Sequence, residues 1–486
     1  MATATLNMVR LDRRQRVSLQ AQMNRQIREL IVSGQLKAGV RLPSTRDLVL
    51  QLGVSRNTIV YALDQLIAEG YLHSRVGSGI YVADLLTHDG RLLTSGASAV
   101  AGKPPRISSR PTHLAAMSIA PEYSSAKVRP FRPCQPAVDH FPLRNWNRAR
   151  ARALRFQPRE LFVEGDSAGL PRLRSSLAIY LQDARGVRCT PEQIIITAGT
   201  QQALSLIATL LLDRGDPVWI EDPGYLGARA AFLAAEAKLV PIPIDSDGLT
   251  IPERTKSPKV VYCTPSRQFP LGITMTLARR FALLEFARNN AVWIVEDDYD
   301  SEFRYVDRPL PCLQGLTNNQ CVIYTGSFSK VLFPSLRLGY IVLPESLVKL
   351  FRKAKEIHDA GTSVIDQATA AVFIDEGFFS THVRRMRQLY RERLYVFLEE
   401  ANKHVAKWLT FPDIDAGMDA TALLKAGGND AEISTRLAAA GIDVPSLSAY
   451  SLAACQPGLV FGFTAFSPAQ IRLAMKTIAN AIAKQH

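Results

Sequence analysis

Leu42-Pro43-Ser44-Thr45-Arg46-Asp47-Leu48, followed at once by Gly53-Val54-Ser55-Arg56-Asn57-Thr58, spells two short helices joined across a glycine. The spacing predicts a helix over 45–52 that stops at Gly53. Ser55 then stands as the N-cap of a further helix carrying Ile59, Ala62, Leu63 and Leu66 on one face, up to Glu69-Gly70. Upstream, Met23, Ile27, Leu30 and Ile31 recur at helical spacing before the stop signals Ser33-Gly34 and Lys37-Ala38-Gly39. Downstream, strands over 71–76 and 80–83 flank Gly77-Ser78-Gly79, the residues of a hairpin turn. A positioning helix, a tight turn and a second helix whose N-terminal side chains reach base edges are the parts of a major-groove reader. Ser55, Arg56, Asn57 and Thr58 occupy that N-terminal position, with Arg56 placed for base contact. Arg41, Ser44, Thr45 and Arg46 are placed for phosphates at the start of the preceding helix. Arg75 and Ser78, at the hairpin tip, would reach the neighbouring groove. Taken singly, any of these arginines reads as an ordinary surface residue; the whole string gives them their meaning.

Charge agrees with a polyanionic partner. The 486 residues carry a formal net charge of +14; residues 1–86 hold eleven Lys and Arg against six acids, and from Arg91 to Arg129 the one acid is Glu122. Length alone implies several structural units. Residues 87–128, rich in Ser, Ala, Gly, Pro and basic side chains, show no sustained period and read as a flexible basic linker between a domain at 1–86 and another at 129–486. Cys134, Cys189, Cys263, Cys312, Cys321 and Cys455 are scattered without metal-ligand or disulfide-framework spacing, so no metal is expected. No apolar run is long enough to span a bilayer and no leader pattern opens the chain, so a soluble, cytoplasmic protein with no membrane partner is expected.

Beyond Phe131, apolar strand-like runs alternate with longer helical patterns, which implies a parallel sheet covered by helices. The strands are read at 193–197, 217–220, 259–263, 292–295, 321–324 and 338–342, with short strands at 409–411, 420–424 and 459–463 in a smaller mixed segment. Several of the first set end in polar clusters, where open α/β sheets build ligand sites. In Thr325-Gly326-Ser327-Phe328-Ser329-Lys330, the lysine follows a strand. Pyridoxal 5'-phosphate (PLP) asks for such an amine, a carboxylate for its pyridine nitrogen, donors for its phosphate and an aromatic face for its ring. Asp297 and Tyr299, in Glu296-Asp297-Asp298-Tyr299-Asp300, offer the carboxylate and a phenol. An acidic loop of this kind would also fit a divalent ion, but neighbouring features favour the cofactor. Gly199-Thr200-Gln201 opens a helix whose N–H groups suit a phosphate, with Ser327, Ser329 and Arg337 as further donors, and Tyr225 can cover the ring.

These motifs carry two resemblances. Residues 42–82 resemble the winged-helix domain of the GntR superfamily, and the chain from Phe131 onward resembles the fold-type-I PLP enzymes of aspartate aminotransferase architecture. Together they are similar to the MocR/GabR-type regulators. The resemblance implies a multidomain protein, an N-terminal winged helix-turn-helix plus an α/β PLP-dependent transferase fold, that binds double-stranded DNA and forms a homodimer with exchanged domains. By the same resemblance Lys330 forms the Schiff base, Asp297 pairs with the pyridine nitrogen, Tyr299 serves the phenolic oxygen and Tyr225 stacks, while Thr200, Gln201, Ser327, Ser329 and Arg337 match phosphate-side positions. Two departures concern the ligand. Glu164 stands where the family commonly has a tyrosine, and Arg267, in Thr264-Pro265-Ser266-Arg267-Gln268, replaces a histidine. Arg267 is either an effector contact for an acidic group or a structural substitute. No arginine of the C-terminal segment is evident for an α-carboxylate, since Arg436 and Arg472 lie in helical patterns.

Three functions follow. The first is a transcriptional regulator that senses a small amino compound through aldimine exchange at Lys330. The second is a regulator of cofactor supply that senses PLP itself. The third is an active class I/II-type aminotransferase carrying a DNA-binding head.

Overall fold

The computed structural model describes residues 6, 8–84, 118–119, 121, 123, 127–156, 159, 161–253, 256–306, 311–316 and 320–483. The linker read over 87–128 lies outside the described residues except at 118–119, 121, 123 and 127–128. The chain divides into two units, Met1–Ile107 and Ser108–His486, each with its own apolar core.

In the N-terminal unit, side-chain caps decide where the helices begin. Ser18 Oγ accepts from Ala21 N–H at the start of α1 (Leu19–Val32). Ser44 and Asp47 form a reciprocal capping box on α2 (Thr45–Leu52), which ends at Gly53 in the left-handed conformation, φ 63°. Ser55 Oγ accepts from Thr58 N–H to open α3 (Arg56–Ala68). Met23, Ile27, Leu48, Ile59, Leu63 and Leu66 close the core between the three helices. Strands β1 (Leu72–Arg75) and β2 (Gly79–Val82) pair antiparallel. Leu42 N–H donates to Ile80 O and Val82 N–H to Val40 O, so the segment entering α2 is fastened to the hairpin.

The C-terminal unit is built on eight strands in the order β3-β10-β9-β8-β7-β4-β5-β6. They are β3 (Ile194–Thr197), β4 (Pro217–Asp222), β5 (Lys238–Asp245), β6 (Gly248–Leu249), β7 (Val260–Cys263), β8 (Trp293–Asp298), β9 (Val322–Ser327) and β10 (Gly339–Val342). The sheet is mixed, a correction to the purely parallel reading: β10 runs antiparallel to both β3 and β9, and β6 antiparallel to β5. A parallel return needs a crossover of a dozen or more residues, usually a helix. The return from β9 to β10 carries only the short turn Pro334–Leu336, so the chain doubles back instead. Lys330 sits in that return.

Strand β5 is also absent from the sequence reading, because Pro241 and Pro243 argue against a strand. Thr250 N–H donates to Pro243 O on the side away from β4, so the missing N–H of these alternate prolines falls on the outer side, where β6 covers only residues 244–245. Helices cover both faces of the sheet over separate apolar clusters. Beyond it, the 27-residue helix Phe378–His404 leads to an antiparallel sheet of β11 (Leu409–Thr410), β12 (Asp419–Leu424) and β13 (Gly458–Gly462). Phe131 joins this small sheet's core, edge-on to Phe397 and Phe461 at 5.6 and 5.8 Å between ring centroids. Among the described residues no helix is long and apolar enough to cross a membrane.

All four tryptophans, Trp146, Trp219, Trp293 and Trp408, belong to the C-terminal unit. Ile59→Ala is therefore expected to destabilise the N-terminal unit by ~2–5 kcal/mol, and Ile59→Val by ~0.5–1.5 kcal/mol. The loss should appear in a urea melt followed by far-UV circular dichroism and leave the tryptophan-detected transition in place.

Candidate functional site

Two surfaces carry chemistry, one in each unit. In the N-terminal unit Arg56 and Asn57 are exposed at the first turn of α3, and Arg46 is exposed on α2. The hydroxyls of Ser44 and Ser55 are engaged as caps; Ser44 Oγ also donates to Asp47 Oδ2 at 2.6 Å, and Ser55 Oγ and Thr58 Oγ1 lie 2.8 Å apart. Their contribution is thus to fix the helix starts that aim the arginines. At the hairpin tip the Arg75 guanidinium stacks over Tyr81, 4.9 Å from the ring centroid, and Ser78 Oγ is 2.5 Å from Tyr81 Oη. The Arg41 guanidinium lies against Gly79, where a Cβ would come within 2.9 Å of its Nε. Gly79, at φ 119°, leaves the room that Arg41 uses.

In the C-terminal unit a cleft opens at the carboxyl ends of β7, β8 and β9. Six residues singled out in the sequence line it: Thr200, Tyr225, Asp297, Tyr299, Ser327 and Lys330. Lys330 Nζ donates to Cys134 O at 3.1 Å. Asp297 accepts from Tyr262 Oη at 2.8 Å and Thr325 Oγ1 at 3.1 Å, and its burial pushes the carboxyl up to about 6 against those hydrogen bonds. Tyr225 and Tyr299 meet Phe269 edge-on, at 6.2 and 5.8 Å, and make an aromatic wall. Gly227 lets the Tyr225 ring lie where it does, since a Cβ there would come within 2.4 Å of it.

At the phosphate-side positions, Thr200 starts the helix Thr200–Leu211, whose first-turn N–H groups have no partner within the helix. Gly199 precedes it at φ 96° and packs on Gly339, where a Cβ would come within 2.9 Å of its Cα. The Arg337 guanidinium lies beside Gly199, and Ser329 N–H donates to Ser327 Oγ at 3.1 Å. Gln201 faces elsewhere; its Nε2 donates to Gly227 O and its Oε1 is buried without a partner.

Arg267 is the residue whose role the structure redraws. It does not line the cleft and is 3% exposed. Its Nε donates to Ala416 O at 3.0 Å, Nη1 to Tyr299 Oη at 3.0 Å and to Asp300 Oδ2 at 3.4 Å, and Nη2 to Asp419 O. The guanidinium is therefore spent inside the protein, and of the two readings left open for it this geometry favours the structural substitute over the effector contact. Because Tyr299 Oη accepts from Arg267, the phenol keeps its own proton to donate into the cleft. Burial, with Asp300 alongside, holds that phenol well above its usual range against the pull of Arg267. Asp300 is itself pushed up to about 7 by burial, with Arg267 opposing.

Sequence reading missed Cys134, Tyr262, Thr264 and Phe269, which complete the lining. Tyr262 and Thr325 are strand residues indistinguishable by pattern from core. Cys134 arrives from far upstream; its N–H donates to Asp419 Oδ1 at 2.6 Å and its thiol to Asp419 Oδ2 at 3.3 Å. No local signal marks so distant a pairing.

The residues fit PLP: an amine, a carboxylate held by two hydroxyls, a proton-bearing phenol, an aromatic wall and a helix N-terminus with Ser327 and Arg337 nearby. Comparison with known proteins agrees. Residues 134–480 match the family described as aminotransferase class I and II, and residues 19–82 match the bacterial regulatory proteins of the gntR family. The chain is 40% identical to the probable rhizopine catabolism regulatory protein MocR of Rhizobium meliloti, over 98% of this chain and 96% of that protein. It is 31% identical to the pyridoxine biosynthesis transcriptional regulator PdxR of Corynebacterium glutamicum, over 98% of each. Among solved structures, the Pyrococcus horikoshii kynurenine aminotransferase in complex with PMP superposes with a TM-score of 0.69 at 27% identity, covering 79% of this chain and 96% of that one.

Two expectations follow. Asp297 binds its proton more tightly folded than unfolded, so the stability it contributes is present below about pH 4 and lost as pH rises through about 6. At pH 7.5 Asp297→Asn should then leave the cofactor-free melting temperature unchanged or higher, by the equivalent of ~1–3 kcal/mol, while weakening PLP binding at least ~10-fold, a loss of the ~1.4 kcal/mol that one charge-assisted pair supplies. A lower melting temperature with unaltered PLP affinity would contradict this. In the N-terminal unit, Arg46→Ala should weaken binding to promoter and scrambled DNA alike and reduce the salt slope by about one, whereas Arg56→Ala should cost ~1–3 kcal/mol on the promoter only. Fluorescence anisotropy across a salt series separates the two.

Proposed function

From a chain that belongs to the aminotransferase class I and II family and carries a GntR-type head, a DNA-binding transcriptional regulator whose body takes PLP as cofactor, we propose a sensor in which a small amine is taken up at Lys330. The observation that carries this reading is the convergence of Lys330, Asp297 and Tyr299 on one cleft, in the same chain as a DNA-reading helix. The cofactor supplies an aldehyde carbon at which primary amines condense. This chain's residues do the rest. Asp297, between Tyr262 and Thr325, keeps a negative charge for the pyridine nitrogen. Tyr299, steered by Arg267, presents its proton to the cleft. Thr200, Ser327 and Arg337 serve the phosphate, and Tyr225 and Phe269 shut water from one side.

In this reading two copies act together, since paired heads read paired half-sites. The amine changes DNA affinity only by binding two arrangements of the protein unequally. The relative MocR is named for rhizopine catabolism and PdxR for pyridoxine biosynthesis, so sensing of the cofactor itself stands beside amine sensing as the reading to be tested.

The test is the visible absorption spectrum of the PLP-loaded protein and of Lys330→Ala, recorded with promoter-DNA affinity while primary amines are added. The band should be absent from the variant, and one class of amine should change band and DNA affinity together in the wild type. DNA affinity that follows PLP and ignores every amine would overturn amine sensing in favour of cofactor sensing. Repeated turnover with a keto acid would make the body a working aminotransferase.

A further inference from the structure

Resting on the amine-sensing reading, we propose that the ligand this cleft takes up is a primary amine that carries no carboxylate or other anionic group. An anion entering a partly buried cleft loses water, and the loss amounts to several kcal/mol unless a cation or several N–H groups replace it. Among the described residues, Lys330 is the only cationic side chain that lines the cleft, and it is the residue committed to the cofactor.

The guanidiniums around the cleft have other work. Arg267, which touches the cleft only through Tyr299, gives its donors to two backbone carbonyls, a phenol and a carboxylate. The peptide at Gly417 closes over one side of it so tightly that a Cβ there would come within 2.1 Å of its Nε. Arg132 is bound through Nε and Nη2 to Asp443, and its guanidinium lies 4.2 Å from the Tyr123 ring centroid. Arg185 is held by Asp298 at 2.7 Å. Arg337, beside Gly199, belongs to the phosphate side.

What remains in the wall is acidic, apolar or a neutral hydroxyl, with Thr264, Tyr225, Tyr262 and Tyr299 supplying the hydroxyls. Asp297 lies in the wall, and the Asp419 carboxylate stands behind Cys134, receiving its N–H and thiol. Behind Phe269 and Tyr225 pack Leu226, Leu447, Tyr450 and Val460, a buried apolar cluster supplied partly by the small sheet. Such a site attracts an ammonium and accepts an uncharged body, while repelling a group of the same sign as its carboxylates.

The experiment uses the PLP-loaded full-length protein and matched pairs that differ by one carboxylate: ethanolamine and serine, phenethylamine and phenylalanine, cyclohexylamine and 2-aminocyclohexanecarboxylate, with taurine as a sulfonate. Cofactor absorbance and melting temperature are read at each concentration. In the pair that responds, the amine without carboxylate should reach half-saturation at a concentration at least ~10-fold lower than its partner, the ratio that an unfavourable ~1.4 kcal/mol gives. An amino acid or taurine that half-saturates at an equal or lower concentration overturns the proposal and leaves amine sensing intact. If the band is present and no compound of either kind moves it or the melting temperature, amine sensing itself fails.

Discussion

One buried guanidinium holds the ligand-binding half of this protein together. Arg267 is the point at which Tyr299 and Asp300, beyond the end of β8, meet Ala416 and Asp419, at the edge of the small sheet. Burying a cation or a carboxylate alone costs several kcal/mol; burying them in contact, with their remaining donors and acceptors matched, brings that cost down to what a fold can carry. The Asp300 carboxyl also accepts from Met418 N–H, and Asp419 takes the N–H and thiol of Cys134. Each of these groups is tolerable inside the protein because the others are there. The small sheet is thereby docked on the cleft by electrostatics as well as by its apolar core.

The same network reaches Lys330. Its Nζ donates to Cys134 O, and Cys134 is the residue that Asp419 holds. A change at the lysine amine is therefore one hydrogen bond away from Cys134, two from β12, three from Arg267 and four from Tyr299. This contiguity gives a physical means by which occupancy of the cleft can alter the seating of the small sheet, without assigning how far the change travels.

Much of this was legible in the sequence where the physics is local. Ser55 and Gly53 mark helix ends because a cap and a left-handed residue act within one turn, and the helices begin and stop there. Lys330, Asp297, Tyr299, Tyr225, Thr200 and Ser327 were found because each lies at or just after the carboxyl end of a strand, and all six line one cleft. Local reading fails where tertiary pairing decides. Lys238–Asp245 is a strand despite Pro241 and Pro243, because the outer side of the sheet forgives their missing N–H groups. Gly339–Val342 runs antiparallel because its connection is short. Arg267 stood open between ligand and scaffold until Asp300, Asp419 and Tyr299 appeared around it. Cys134 had no signal at all, since its partners Lys330 and Asp419 lie far along the chain.

The central claim is that cleft occupancy and DNA affinity are thermodynamically linked, and the most direct measurement is their reciprocity. The amine affinity of the PLP-loaded protein is measured with and without saturating promoter DNA, and the DNA affinity with and without saturating amine. Linkage requires the two ratios to be the same factor, expected between ~5- and ~150-fold. A ratio of one in both directions, with the amine demonstrably bound, would contradict the account and leave the body and the head as independent binders.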